Sequence, residues 1–427
     1  MPGEGHPLPM LTVARTSPAL SRHPRDAPHR AARDAKRALA VVGLNHALHD
    51  GYTDMIYVLL PVWQAEFGLG YIALAVLRSL YVGALAGLQM PATALAGVLG
   101  VRVVLTLGTV LGAGGYALAG ASGGLAGLCL ALALSGAGSS TQHPLASAVI
   151  ARSYGNAARG PLGTYNFTGD LGKAALPPLV GVLLAHSEWR HVLWLVAGAG
   201  FLVAFVVAGL LPREADPPGP ATETVSAKGA ATGATAKRTG FGLLVAIGML
   251  DNAARPAFLI YLPFLLQAKG AGLSLVGLAF ALVAIGGALG KAVFGRLGER
   301  FGVTRSVILT EVGTAVAILA VIALPMVPAL AVLPLLGLML NGTSSVLYGT
   351  VPELAPAGQV ARAFAIFYTC TLGGSALATP LLYGPLGDVV GPGWASLAAA
   401  ATALAVVPLM LALSPRLAPP ERDEGRG

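Results

Sequence analysis

The sequence predicts an all-α integral membrane protein: twelve transmembrane helices arranged as two six-helix bundles. Three observations lead there. Of 427 residues, 55% are apolar and 11% charged, too little charge to cover a soluble fold of this size. The apolar residues gather into twelve runs, each near the roughly 20 residues that cross a bilayer. Motifs of the first six runs return in the last six about 202 positions on, so the chain reads as two related halves. The net charge of +8 does not point to nucleic acid, because the basic residues sit between apolar runs and at the ends.

Taken in order, residues 1–37 are polar, Pro-rich and basic, and read as a disordered cytoplasmic tail without a cleaved signal peptide. Six spans follow at 38–60, 70–92, 103–121, 124–150, 160–184 and 191–211, forming a first bundle over 38–211. Residues 212–240, rich in Pro, Gly, Ala and Thr, are a cytoplasmic linker. The second bundle, 241–414, holds spans at 241–265, 272–294, 304–325, 328–350, 361–384 and 394–414; residues 415–427 are a charged tail. Glycine spacings such as Gly108…Gly112 and Gly286…Gly290 are helix-packing signals.

Basic residues give the orientation. The tails, the linker and the even-numbered loops hold Arg102, Arg152, Arg213, Arg300 and Arg362 among many others, whereas the odd-numbered loops hold only Arg190 and Lys269. By the positive-inside rule both termini are cytoplasmic, in a multi-pass protein of the cytoplasmic (inner) membrane. Cys129 and Cys370 lie inside apolar runs and imply neither a disulfide nor a metal site.

The halves are parallel repeats. Leu60-Pro61 returns as Leu262-Pro263 and Gly100 as Gly302, both 202 positions on (263 − 61, 302 − 100). In the fifth and eleventh spans Arg159, Tyr165, Pro177 and Gly181 match Arg362, Tyr368, Pro380 and Gly384 at 203 (362 − 159). Six spans, a linker and six related spans is the layout of transporters that rock two bundles around a midplane site.

With the loop Gly295-Arg-Leu-Gly-Glu-Arg-Phe-Gly302, this layout resembles the major facilitator superfamily. The likeness implies that Gly295, Glu299, Arg300 and Gly302 form a cytoplasmic gate that latches neighbouring helix ends. The first-half loop departs from the pattern, with Thr93, Gly97 and Val98 at the Gly, Asp and Arg positions. Within the superfamily the chain is most similar to the fosmidomycin-resistance group. That likeness rests on His46-Ala-Leu-His-Asp50 before Leu60-Pro61, on Gly136 to Pro144 running into His143-Pro144, and on Arg159-Gly160. It implies export of small molecules against a proton gradient. Asp170 and Lys173 depart from that group, which has uncharged residues there.

Charged residues inside spans mark candidate sites, since an ionised side chain at the bilayer centre costs about 2.5–3.5 kcal/mol on insertion scales. His46, His49 and Asp50 share one face of span 1, with Asp54 a turn on; they read as proton-coupling groups lining a cavity, or as hydrogen bonders that fix packing. Asn166, Asp170 and Lys173 fall at i, i+4 and i+7 of span 5. Asp170 and Lys173 read as a proton switch, ionised Asp170 holding Lys173 and protonated Asp170 releasing it to an anion; the competing reading is a permanent structural pair. In span 7, Asp251, Asn252 and Arg255 are the counterpart of the His49-Asp50-Thr53 face (251 − 49 = 202), and Asp251 and Arg255 are placed to neutralise each other or to bind substrate. His143 faces the cavity or caps carbonyls freed by Pro144. Arg78 contacts substrate or snorkels to the interface. Tyr165, Tyr368 and Asn166 are pocket lining or plain packing. Lys291 and Glu311 have weaker claims, near span ends or at the latch.

Together these residues predict a proton-coupled secondary transporter, with Asp170, His49, Asp50, Asp54 and His46 handling protons. Lys173, Arg255, Arg78, Asn166, Tyr165, His143, Asp251, Asn252 and Tyr368 would meet a small anionic or polar substrate. The partners expected are substrate, protons and the bilayer, for a monomer with no cofactor, no nucleic acid and no ATP site, as no P-loop occurs. Two rivals stand beside export: uptake of an organic anion, and a membrane metalloenzyme built on the span 1 His/Asp face.

Overall fold

The computed structural model describes residues 27–212, 234–355 and 359–417, excepting the side chains of 27–30, 156, 234–238, 295–299 and 361. Among the described residues there is no strand. The first half holds α1 (Ala27–Phe67), α2 (Tyr71–Gly87), α3 (Gln89–Leu99), α4 (Val101–Gly120), α5 (Leu125–Ser139), α6 (Gln142–Tyr154), α7 (Arg159–Leu184) and α8 (Trp189–Leu210). The second holds α9 (Ala234–Ala268), α10 (Leu273–Phe301), α11 (Val303–Ala323), α12 (Met326–Leu354), α13 (Val360–Ala378), a π turn (Thr379–Tyr383) and α14 (Gly384–Leu413).

These helices make twelve spans. α2 and α3 form one span bent by 46°, and α5 and α6 form another. Gly391, at φ +84°, divides α14 into the end of the eleventh span and the whole of the twelfth. Seven stretches, or eight with the bent pair, are long and apolar enough to cross a membrane by composition; the last of these, Arg362–Arg416, contains two spans. α1, α5–α6 and α7 fall short because they are broken or carry the polar residues discussed below. Two expected boundaries move: α1 begins at Ala27 and α9 at Ala234, so residues 27–37 of the expected tail and 234–240 of the expected linker are helical.

The repeat is visible in the backbone. Gly100 and Gly302 turn the chain at φ +83° and +82°, and Gly68 and Gly270 at +61° and +92°. Each pair is 202 apart (302 − 100, 270 − 68), in a region where an L side chain is strained. Small residues bring helices into contact as expected. A Cβ on Gly172 of α7 would overlap the backbone of Ala47 in α1, and one on Gly290 of α10 that of Leu338 in α12.

Burial locates the junction between the halves. At the end of the bundle away from the chain termini, one core draws on both: Tyr57, Trp63 and Tyr81 pack with Phe258, Tyr261 and Phe280. Tyr57 stacks on Phe280 at 5.2 Å across the junction. At the terminus end there are two cores instead, one from residues 38–211 and one from 244–413. The far end is sealed and the terminus end divided. Asp388 adds a polar seal, its carboxylate accepting the N–H groups of Tyr71 (2.5 Å) and Ile72 (3.1 Å) at the start of α2.

Candidate functional site

Beneath the shared core lies a cavity of about 280 Å³ between the halves. α1 contributes Asp50, Thr53 and Asp54, α6 His143, and α7 Asp170 and Lys173. The other half contributes Asn252 and Arg255 from α9, Asn341 from α12 and Tyr368 from α13.

The ion pairs are not the expected ones. Lys173 reaches across to α1, its Nζ 2.9 Å from Asp50 Oδ2. Asp170 is taken instead by Lys291 of α10, whose Nζ lies 2.6 Å from Oδ1. Helical spacing puts Asp170 and Lys173 near each other but does not select their partners; a neighbouring helix with the opposite charge can outcompete a residue three positions away. The second pair joins the two halves. Both carboxylates are packed in (12% and 11% exposed side chains), while Lys173 and Lys291 are 28% and 41% exposed. The ammonium groups are therefore the more exposed part of each pair, and Lys173 presents its own on the cavity wall.

Histidines surround Asp50. His46 Nε2 is 3.5 Å from Oδ2 and His143 Nε2 4.0 Å from Oδ1. His46 Nδ1 lies 2.9 Å from the Tyr165 carbonyl, which can only accept, so the Nδ1 proton is committed there and Nε2 turns its lone pair, or a second proton, towards Asp50. Gly169 is required at the crossing, because a Cβ would come within 2.6 Å of His46 Cε1. His143 faces the cavity, which settles its orientation. Tyr165 is buried, stacked on His46 at 4.1 Å and donating to the Gln142 carbonyl, so it is packing and not pocket lining. Asn166 is exposed and outside the cavity wall.

His49 also turns away from the cavity. Its Nδ1 is 2.8 Å from Ser139 Oγ and its Nε2 3.4 Å from Thr109 Oγ1. Ser139 Oγ continues at 2.8 Å to Tyr81 OH, and that at 3.1 Å to Thr53 Oγ1 on the cavity wall. The link from His49 to solvent is a file of hydroxyls. Arg78 does not snorkel: it is buried, its guanidinium 4.8 Å from the Tyr57 ring centre, on the cavity wall with Asp54.

In the second half Asp251 and Arg255 do not neutralise each other directly. Arg255 donates to Asn341 Oδ1. Asp251, buried off the cavity, accepts from Ser344 at 3.3 Å and lies beside the Glu311 carboxyl. Lys291 and Glu311 are thus the residues that sequence reasoning undervalued. Glu311 has a signal in the repeat: it stands 202 positions after Thr109 (311 − 109), in the middle of α11 rather than at its end. At the expected gate, Arg300 is exposed and Gly302 makes the positive-φ turn between α10 and α11, whereas the surroundings of Gly295 and the side chain of Glu299 lie outside those described.

The His46, Asp50 and His143 ligand atoms lie within 4.8 Å of one another, a metal-like grouping. The Lys173 ammonium already holds the Asp50 carboxylate, and a dication there would have to displace it, which weighs against the metalloenzyme reading.

Comparison with known proteins agrees with this architecture. The fosmidomycin resistance protein of Escherichia coli K12 is 26% identical over 189 residues, 43% of this chain and 44% of that protein, so the match spans under half of the relative. Among solved structures, a bacterial homologue of the lysosomal transporter Spinster, inward-facing and unoccupied, superposes with a TM-score of 0.71 at 15% identity, covering 90% of this chain and 97% of the other. A nucleoside transporter, NupG, gives 0.73 at 12% identity over 89% and 99%. A peptide transporter in complex with alafosfalin gives 0.70 at 14% over 89% and 95%. All three show the same fold. The family model of the Major Facilitator Superfamily matches residues 42–268 and 241–427, and with two repeated bundles enclosing a central cavity the chain belongs to that superfamily, as a transporter and not an enzyme.

Proposed function

We propose that the protein is a proton-coupled secondary transporter that exports a small anionic or polar organic molecule across the cytoplasmic membrane by alternating access. The observation that carries this reading is the pair of cavity ion pairs, Asp50–Lys173 within the first half and Asp170–Lys291 between the halves. Protonating Asp50 removes the counter-charge of Lys173 on the cavity wall, and protonating Asp170 that of the half-exposed Lys291 behind it, so proton binding and anion binding draw on the same groups. Arg255 and Arg78 add positive charge to the wall. With the termini on the cytoplasmic side, the divided end is the cytoplasmic one, and the cavity stands in the inward-facing state from which an exporter loads. The relative's name, a resistance protein, agrees with export.

The test is substrate-induced proton movement in proteoliposomes, screening small carboxylates, phosphonates and cationic drugs against inside-out and right-side-out vesicles. The reading predicts a proton signal with anions, opposite in direction to solute flux and abolished by Asp170→Asn. A response to cations alone overturns the anion assignment. Solute and proton moving in the same direction convert the reading to uptake.

A further inference from the structure

In the second half two acidic side chains meet outside both cavity ion pairs. Asp251 of α9 and Glu311 of α11 lie side chain to side chain, Asp251 7% and Glu311 2% exposed. The surrounding groups are few. α12 supplies Ser344, which donates to Asp251 at 3.3 Å, and Thr343 beside Glu311. Tyr348, also on α12, lies further off. α9 supplies Arg255, one turn from Asp251 but bonded to Asn341 on the cavity wall. α10 brings Lys291 near Arg255, where it is bound to Asp170. The spans of α14 and α13 packed on this side bring no charged residue between Phe364 and Leu386 or between Gly391 and Leu413. Glu311 Oε1 is buried and without a hydrogen-bond partner.

Two carboxylates cannot hydrogen-bond each other, because both are acceptors. Ionised together, side by side in a membrane interior, they would repel strongly, with one nearby cation to offset two charges. A carboxyl–carboxylate pair meets both constraints: one proton lies between the oxygens, one negative charge remains, and Arg255 is at hand to balance it. The repeat sharpens the point. Asp251 stands where His49 does and Glu311 where Thr109 does, each 202 positions on (251 − 49, 311 − 109), and a serine completes either cluster, Ser139 or Ser344. The first cluster can be neutral as it stands. The second can lose its excess charge only by binding a proton.

We propose that Asp251 and Glu311 hold one proton between them and form a proton-binding site of the second half, separate from the Asp50 and Asp170 sites. Arg255 connects it to the cavity. With the proton in place the guanidinium stays with Asn341 on the cavity wall; release of the proton doubles the negative charge one turn away and draws Arg255 off the wall. The site thereby sets whether that cation is offered to a solute.

The site can be tested without a known substrate. The full-length protein in nanodiscs at neutral pH is examined by infrared spectroscopy for the carbonyl stretch of a protonated carboxyl, with deuterium exchange to confirm it. The proposal expects such a band in the wild type, lost in Glu311→Gln and in Asp251→Asn, retained in Asp54→Asn, and retained in Glu311→Asp, which keeps two carboxyls. Glu311→Asp guards against loss by misfolding. A wild-type spectrum with no such band, or a band that survives both Glu311→Gln and Asp251→Asn, overturns it. The outcome is independent of whether anion-driven proton flux is found in vesicles.

Discussion

Each half carries a polar cluster at the same place in its repeat, and the two clusters differ in what they can do with charge. His49 lies among the hydroxyls of Thr109 and Ser139; Asp251 lies against Glu311 and Ser344. The cavity walls differ in the opposite sense. The first half faces the cavity with Asp50, Asp170 and Lys173, whereas Asn252, Gly373 and Ala376 occupy the matching positions of the second (252 − 50 = 202, 373 − 170 = 203, 376 − 173 = 203). Duplication preserved the frame of turns and packing glycines, and the acidic groups were then distributed unequally: on the wall in one half, behind it in the other. Rocking two similar bundles needs the shared frame. Coupling it to a gradient needs groups whose charge can change, and these need not be repeated.

The two walls should differ most at Asp50. Asp50→Asn leaves Lys173 without its partner in a partly buried wall. Removing one member of a buried pair costs roughly 3–5 kcal/mol, discounted here because Lys173 reaches solvent. We expect solute-driven proton flux to fall about 100-fold in proteoliposomes, against a drop of less than tenfold for Asn252→Ala at the matching position. Equal losses at both sites would mean that the walls act alike and that the asymmetry is incidental.

Next in size is the bridge between halves. Asp170→Asn or Lys291→Ala should each cut flux about tenfold, and the exchanged pair Asp170→Lys with Lys291→Asp should recover a large part of it, since the Nζ–Oδ1 contact joins two helices that can present either charge. Flux measured for the four proteins decides this. No recovery on exchange would show that Asp170 acts through its own position, as a proton acceptor, and not through the bridge.

This bridge also marks where sequence reading stops. Twelve spans, two halves and the 202-residue offset are legible because hydropathy and turn glycines are local properties, repeated along the chain. The charged face of α7 is legible too, because i, i+4 and i+7 positions align on any helix. The partner of each charge is not, since it depends on which helix lies alongside. Asp170 and Lys173 read as a pair for want of that knowledge, and Lys291 read as a helix-end residue although α10 runs on to Phe301. Tyr165 and His49 share faces with true cavity residues but sit at crossings with α1 and with α4–α5, where close packing claims them.

A smaller effect should follow at the sealed end. Asp388 caps the first turn of α2 across the junction, and a carboxylate on helix N–H groups is worth about 0.3–1 kcal/mol at an exposed position. Asp388→Asn should therefore favour opening of that end by about two- to fivefold. The readout is the labelling rate of a cysteine at Ser274, which faces the Gly181 carbonyl at 3.4 Å, in a background lacking Cys129 and Cys370. An unchanged rate would show that the aromatic core alone holds the seal.

The smallest expected effect separates structure from proton handling at His49. A Cβ on Gly112 of α4 would meet His49 Cε1 at 3.0 Å, close enough that the imidazole must give by a few tenths of an ångström. Against that stands the helical preference for Ala over Gly, about 0.5–1 kcal/mol. The matching position of the second half is Thr314 (314 − 112 = 202), buried with a side chain already in place, so the frame accepts more than a glycine there. Gly112→Ala should leave the melting temperature within a few degrees of wild type and lower flux no more than about twofold, because His49 reaches the cavity only through Ser139, Tyr81 and Thr53. A large loss of flux at unchanged stability would contradict that placement. It would mean that the first half carries protons through its buried cluster as well as along its wall, and that the two clusters, imidazole and carboxyl pair, are functional counterparts after all.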